Sequence, residues 1–222
     1  MSIGQTPEPA PELQTLPPDL PVPADDGAAA HLPGLRMPSL ILDSTDKVTI
    51  DLGMMVTGRT VVYLYPMTGR PDIELPAGWN AIPGARGCTA EACDFRDHYR
   101  ELVAAGAQRV FGLSSQESTY QREVVERLHL PFSMLADPEL HLAKALSIPT
   151  FDVDGVSLYK RMTLIVHSGV IEHVFYPVFP PDQHAEEVLR WLREHPGSVV
   201  GGSGVAGGGE GGAVGDRPVG QG

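Results

Sequence analysis

The sequence predicts an α/β domain with a mixed central sheet, helices on both of its faces and a β-hairpin at its N-terminal end. Three observations carry this. Between about residues 38 and 196, strand-like and helix-like segments alternate in the order β-α-β-α-β-α-β-β-α, the arrangement of a sheet covered on both sides. The inner strand segments are unbroken apolar runs, as strands buried on both faces require. The last two strand segments flank Ser168-Gly169, a two-residue hairpin turn, and an amphipathic helix follows them.

Each element has its own justification. Leu40–Leu42 and Val48–Asp51, around Ser44-Thr45-Asp46, read as the N-terminal hairpin. Thr60–Tyr65 is a β-branched and aromatic run, hence a buried strand. A loop punctuated by Gly69, Pro71, Pro76, Gly78, Pro83 and Gly84 follows. A helix is expected from about Thr89 to Ala105, with Phe95, Tyr99 and Leu102 on one face and Gly106 as its stop. Val110–Leu113 and Phe132–Ala136 are further strands, and Thr119–Leu128 and Pro138–Leu146 further helices. Arg161–His167 and Val170–Phe175 form the closing hairpin, and Ala185–Glu194 is a helix ended by Pro196. A closing hairpin followed by a helix is the pattern of a thioredoxin-like fold.

The flanks differ from this core. Of 21 prolines, nine lie in residues 1–38; of 25 glycines, twelve lie in residues 197–222. The expected organisation is therefore a disordered, Pro-rich acidic arm (1–37), one domain (38–196) and a disordered Gly-rich tail (197–222). Pro18–Pro21 matches PxxP, but its acidic flanks favour a solvated extended arm. Gly202–Gly207 spells GxGxxG, but more glycine follows it rather than a helix, so it does not read as a dinucleotide site. The net charge of −12 argues against nucleic-acid and anionic-membrane partners. No apolar run is long enough to span a bilayer, and the first residues lack the basic and apolar regions of a secretory signal. The expected location is cytoplasmic, and the expected state a monomer or weak homodimer.

The chain has two cysteines, Cys88 and Cys93, too few for a disulfide scaffold. Cys88 falls at the first turn of the expected helix, where free amides and the macrodipole favour a thiolate, the reactive form. On an intact helix, a spacing of five places the two Cα atoms about 8–9 Å apart. A disulfide needs roughly 4.4–6.8 Å. The spacing thus predicts either no disulfide or one coupled to local unwinding; two unrelated helix cysteines is the plainer alternative. A zinc site has no support, since no histidine lies at helical spacing beside either cysteine and His98 is the nearest. Asp97 and His98 read as solvated helix residues rather than a general base. No HExxH or GxSxG motif occurs.

The run Gly87-Cys88-Thr89-Ala90-Glu91-Ala92-Cys93-Asp94-Phe95-Arg96-Asp97 resembles the active-site helix of the peroxiredoxin family. It is most similar to the peroxiredoxin Q (bacterioferritin comigratory protein) class, with its Gly-Cys-Thr-x-x-x-Cys-x-Phe-Arg-Asp signature. Leu64-Tyr65-Pro66, Phe111–Ser114, Leu135-Ala136-Asp137 and Arg161–Val166 resemble that family's strands, so the likeness covers about residues 38–195. It implies that Cys88 is the peroxidatic and Cys93 the resolving cysteine. It also implies that Arg161 holds the thiolate and polarises peroxide, and that Pro66 opens the catalytic loop. Glu91, one turn on, is placed to orient an arginine, or is simply a helix N-terminal acid; Arg161 has the alternative of an edge arginine paired with a carboxylate. The chain departs from the family's Pro-x-x-x-Thr-x-x-Cys pattern. Ala85 stands where the threonine belongs, and Pro66 to Cys88 spans 22 positions rather than seven. Thr68 and Thr89 are the candidates to replace the missing hydroxyl. The insertion, with Ile73, Leu75, Trp79 and Ile82, forms either an apolar flap over the pocket or a variable surface loop.

The resemblance implies a thiol-dependent peroxidase. Hydrogen peroxide or an organic hydroperoxide oxidises Cys88 to a sulfenic acid, an intramolecular Cys88–Cys93 disulfide follows, and a thioredoxin-like reductant recycles it, with no metal or other cofactor. Two other classes of function remain open on the sequence. One is a thiol–disulfide oxidoreductase or peroxide sensor; the other is a non-enzymatic thioredoxin-fold interaction module.

Overall fold

The computed structural model describes residues 11–196. Its elements are α1 (Pro11–Gln14), β1 (Ile41–Ser44), β2 (Thr49–Asp51), β3 (Arg59–Leu64), α2 (Cys88–Ala104), β4 (Ala107–Ser114), α3 (Ser118–Leu128), β5 (Met134–Ala136), α4 (His141–Leu146), β6 (Thr150–Val153), β7 (Val156–Tyr159), β8 (Met162–His167), β9 (Val170–Phe175) and α5 (His184–Glu194). Seven strands form one sheet in the order β2-β1-β5-β4-β3-β8-β9. The pairs β3–β4 and β4–β5 are parallel, and β1–β5, β3–β8 and β8–β9 antiparallel. This is the expected mixed sheet, with the expected β1–β2 hairpin at one edge.

Period-two alternation sorts β3 to two cores. Val61 and Tyr63, with Tyr65 just beyond the strand, pack with Phe95 and Leu102 of α2, Val124 of α3 and Leu189 of α5. Val62 and Leu64 face the other way, toward Leu142 and Leu146 of α4. Helices therefore cover both faces, as expected. Among the described residues, no helix is long and apolar enough to cross a membrane.

Two expectations need correction. Residues 11–37 are not a disordered arm. Ala29, Leu32 and Met37 are buried in the core beside α4. The backbone of this segment also bonds the sheet edge, Gly34 N–H to the Ile171 carbonyl at 2.8 Å and Ile171 N–H to the Leu35 carbonyl at 2.9 Å. Burial of these three apolar residues outweighs the extension favoured by proline and acidic charge. Residues 1–10 and the tail 197–222 lie outside the described residues. Second, β6 and β7 pair as a small separate hairpin that the expected order lacks. Its turn is Asp154-Gly155, both at positive φ, a two-residue hairpin signal.

Candidate active site

Cys88 is the first residue of α2, and the chain turns into it through Gly87 at φ 103°. A Cβ built on Gly87 would lie 2.4 Å from Pro181 Cγ, so both the backbone angle and the close packing demand glycine there. Farther along α2, the Asp94 carboxylate accepts from the Ala185 N–H at 2.7 Å. It thereby caps the first turn of α5 from outside and ties the two helices together.

Arg161 enters the site from the residue before β8. Its Nη2 lies 3.1 Å from Cys88 Sγ. Its Nη1 pairs with Glu91, and both side chains are buried. The same guanidinium donates to the carbonyls of Gly84, Ala85 and Arg86 at 3.1–3.3 Å. Cys88, Arg161 and Glu91 thus come together as the sequence suggested, and Arg161 is not an edge arginine. Pro66, buried just past β3, opens the loop to Cys88.

The missing hydroxyl is not replaced by Thr68. Thr68 N–H and Oγ1 both donate to Gln116 Oε1, at 2.9 and 3.0 Å. Thr89 is buried beside Cys88, and both line one small cavity. The Cys88 thiol donates to the Ala85 carbonyl at 3.5 Å.

Burial pushes the Cys88 thiol above its ordinary range, Arg161 pulls it down, Glu91 pushes it up, and the Met67 amide pulls it down. Burial is the largest of these influences, with the Arg161 guanidinium the leading one against it. Burial likewise raises Glu91, to about 7, against the pull of Arg161. Its Oε1 has no hydrogen-bond partner, which adds to the cost of its charge. Burial opposes the charge of Arg161, but Cys88 and Glu91 beside it keep it protonated.

Cys93 is also buried, and both thiols are free. Burial raises its thiol too, with Arg96 the leading opposing influence. With α2 intact, helix geometry holds the two cysteines about 8–9 Å apart at Cα, beyond disulfide reach.

The insertion before Cys88 is an apolar flap. Trp79 and Leu158 are buried, with the partly buried Leu75, Ile82 and Phe151 packed against them, whereas Ile73 is exposed. Leu75 and Trp79 also line the cavity at Cys88, whose volume is about 10 Å³. A larger cavity of about 370 Å³ is lined by Arg161 together with Pro23, Ile82, Phe151 and Tyr176; Cys88 does not line it.

Several residues that hold this geometry carried no signal in the sequence. Gln116 and Tyr120 grip Thr68, and Arg127 donates to the Gly69 carbonyl at 3.0 Å, so together they anchor the start of the flap. Polar side chains reaching across the fold to loop carbonyls leave no local periodicity to read.

The model of the redoxin family matches residues 32–189 of this sequence, a span that contains the Cys88–Arg161–Glu91 cluster and the whole central sheet. The chain belongs to the redoxin family. The match begins at Leu32, inside the segment expected to be a disordered arm. The redoxin is 28% identical over 160 residues to peroxiredoxin Q, chloroplastic, of Populus jackii, covering 72% of this chain and 67% of that protein. Peroxiredoxin Q, chloroplastic, of Suaeda salsa matches to the same extent, 28% over 160 residues. The chain spans about two thirds of the length of these relatives. The crystal structure of peroxidoxin BcpB from Mycobacterium tuberculosis superposes with a TM-score of 0.60 at 23% identity, over 74% of this chain and 98% of that one. The redoxin is thus of the peroxiredoxin Q-like class, with the thioredoxin-like fold.

Proposed function

We propose that this thiol-dependent peroxidase works through Cys88 as peroxidatic and Cys93 as resolving cysteine, in the atypical two-cysteine cycle. Cys88 loses its proton and its sulfur attacks the outer oxygen of a hydroperoxide. The O–O bond breaks, Cys88 becomes a sulfenic acid, and the leaving oxygen takes up the proton as water or an alcohol. Arg161, fixed by Glu91 and three backbone carbonyls, stabilises the sulfur anion and the charge developing on oxygen without having to reorganise. The first turns of α2 then unwind. Cys93 attacks the Cys88 sulfur, a disulfide forms and water leaves. A thioredoxin-like dithiol reduces that disulfide to two thiols and is itself oxidised to a disulfide. Neither half-reaction calls for a metal or other cofactor.

The observation that carries this reading is the 3.1 Å approach of Arg161 to the sulfur of Cys88 at a helix start. Peroxide consumption with a thioredoxin-type reductant tests it. Cys88→Ser abolishes turnover. Cys93→Ser reduces one equivalent of peroxide, leaves a sulfenic acid on Cys88 and then stops. Turnover retained in Cys88→Ser overturns the assignment.

A further inference from the structure

Residues 13–26 pack beside the Cys88 site as a strap. Leu13, on α1, lines the cavity at Cys88 together with Met67, Leu75 and Trp79. Its side chain rests on Gly69, 3.0 Å from where a Cβ would stand. Leu16 sits against Gly87, immediately before Cys88, at 2.9 Å by the same measure. Leu20 and Pro21 line a small cavity together with Ile82 and Gly84 of the flap. The strap is then fastened to the domain: Asp26 accepts from Lys160 Nζ at 2.7 Å and from Tyr176 Oη at 2.8 Å.

What this leaves open beside Cys88 is a cavity of about 10 Å³, room for about one water-sized molecule. Hydrogen peroxide is of that size class. The carbon skeleton of an organic hydroperoxide is not; Leu13 lines this cavity, and Leu16 packs on Gly87, another of its lining residues.

We infer that Leu13 and Leu16 are specificity-determining residues, closing the Cys88 site against organic hydroperoxides while admitting hydrogen peroxide, with the Asp26–Lys160 pair holding the strap in place. This rests on the peroxidase reading above and adds a substrate preference to it.

The test uses the full chain and compares kcat/KM for cumene hydroperoxide and hydrogen peroxide under one dithiol reductant. In the wild type, hydrogen peroxide is the better substrate. In the Leu13→Ala/Leu16→Ala double variant, the cumene-to-hydrogen-peroxide ratio rises by on the order of tenfold, the scale on which pocket shape discriminates apolar groups. Asp26→Ala, a surface change outside the core, moves the ratio in the same direction by a smaller factor. A ratio unchanged in both variants overturns the inference, as does a wild type that already prefers cumene hydroperoxide; either leaves the peroxidase reading standing. A wild type that consumes neither peroxide overturns both.

Discussion

Arg161 donates to the carbonyls of Gly84, Ala85 and Arg86 with the guanidinium that also reaches Cys88. Only a planar fork can do all of this at once; an ammonium is a point charge on a flexible stem. Arg161→Lys therefore keeps a positive charge but loses the geometry, and kcat/KM for peroxide falls by about a hundredfold, as when a positioned transition-state donor is removed. A lysine variant within a few-fold of wild type would show that charge alone is sufficient. Glu91 gives a prediction in pH. Its carboxyl is raised in the fold from 4.5 to about 7, so between those values the folded state holds a proton that the unfolded state has lost. Its contribution to stability is full below about pH 4.5 and is lost as pH rises through 7. Urea midpoints measured from pH 4.5 to 8 fall over that window in the wild type, and the slope flattens in Glu91→Gln. An identical slope in the variant would mean that Glu91 is already ionised in the fold at the acid end.

At the scale of elements, the start of α2 decides where Cys88 lies. Gly87→Ala puts a Cβ into Pro181 at a backbone angle that disfavours side chains. The expected cost is about 1–3 kcal/mol, read as a lower urea midpoint, with peroxide turnover reduced because the helix start and its cysteine shift together. The position of α2 was legible in the sequence because Gly87, the apolar spacing of Phe95, Tyr99 and Leu102, and Gly106 all agree. The pairing of β8 with β9 was legible through Ser168-Gly169 for the same kind of reason. The β6–β7 hairpin was not, although Asp154-Gly155 gives the same signal; its strands are short and its outward residues mixed, so no period stands out around the turn. The flap is harder still. Its glycines and prolines read as loop, and they are loop, yet Trp79 and Ile82 are packed through contacts with Phe151 and Leu158, which are distant in sequence.

For the whole molecule, composition and packing disagree about where the domain begins. Proline density and acidic charge marked everything before residue 38 as solvated, and averaging over that stretch hid three apolar residues, Ala29, Leu32 and Met37, that complete the core on the α4 side of the sheet. The acids that were to repel one another include Asp26, whose charge is stabilised by hydrogen bonds from Lys160, from the Ala28 amide and from Tyr176, and whose carboxyl lies well below the usual range. The site shows the same division. Cys88 and its helix were readable locally, whereas the role of Arg161 came through resemblance, and the packing of residues 13–26 beside the site depends on contacts no local pattern records. Leu32 tests whether this segment belongs to the cooperative unit. It is fully buried, and its truncation leaves a cavity between the sheet and the chain that crosses it. If residues 29–37 fold with the domain, Leu32→Ala lowers the unfolding free energy by about 2–5 kcal/mol in a single transition whose urea slope is unchanged. If they dock independently, the main transition stays where it is and only this segment loosens, which hydrogen exchange resolves as lost protection at the Gly34 and Met37 amides while those of β3 and β4 keep theirs.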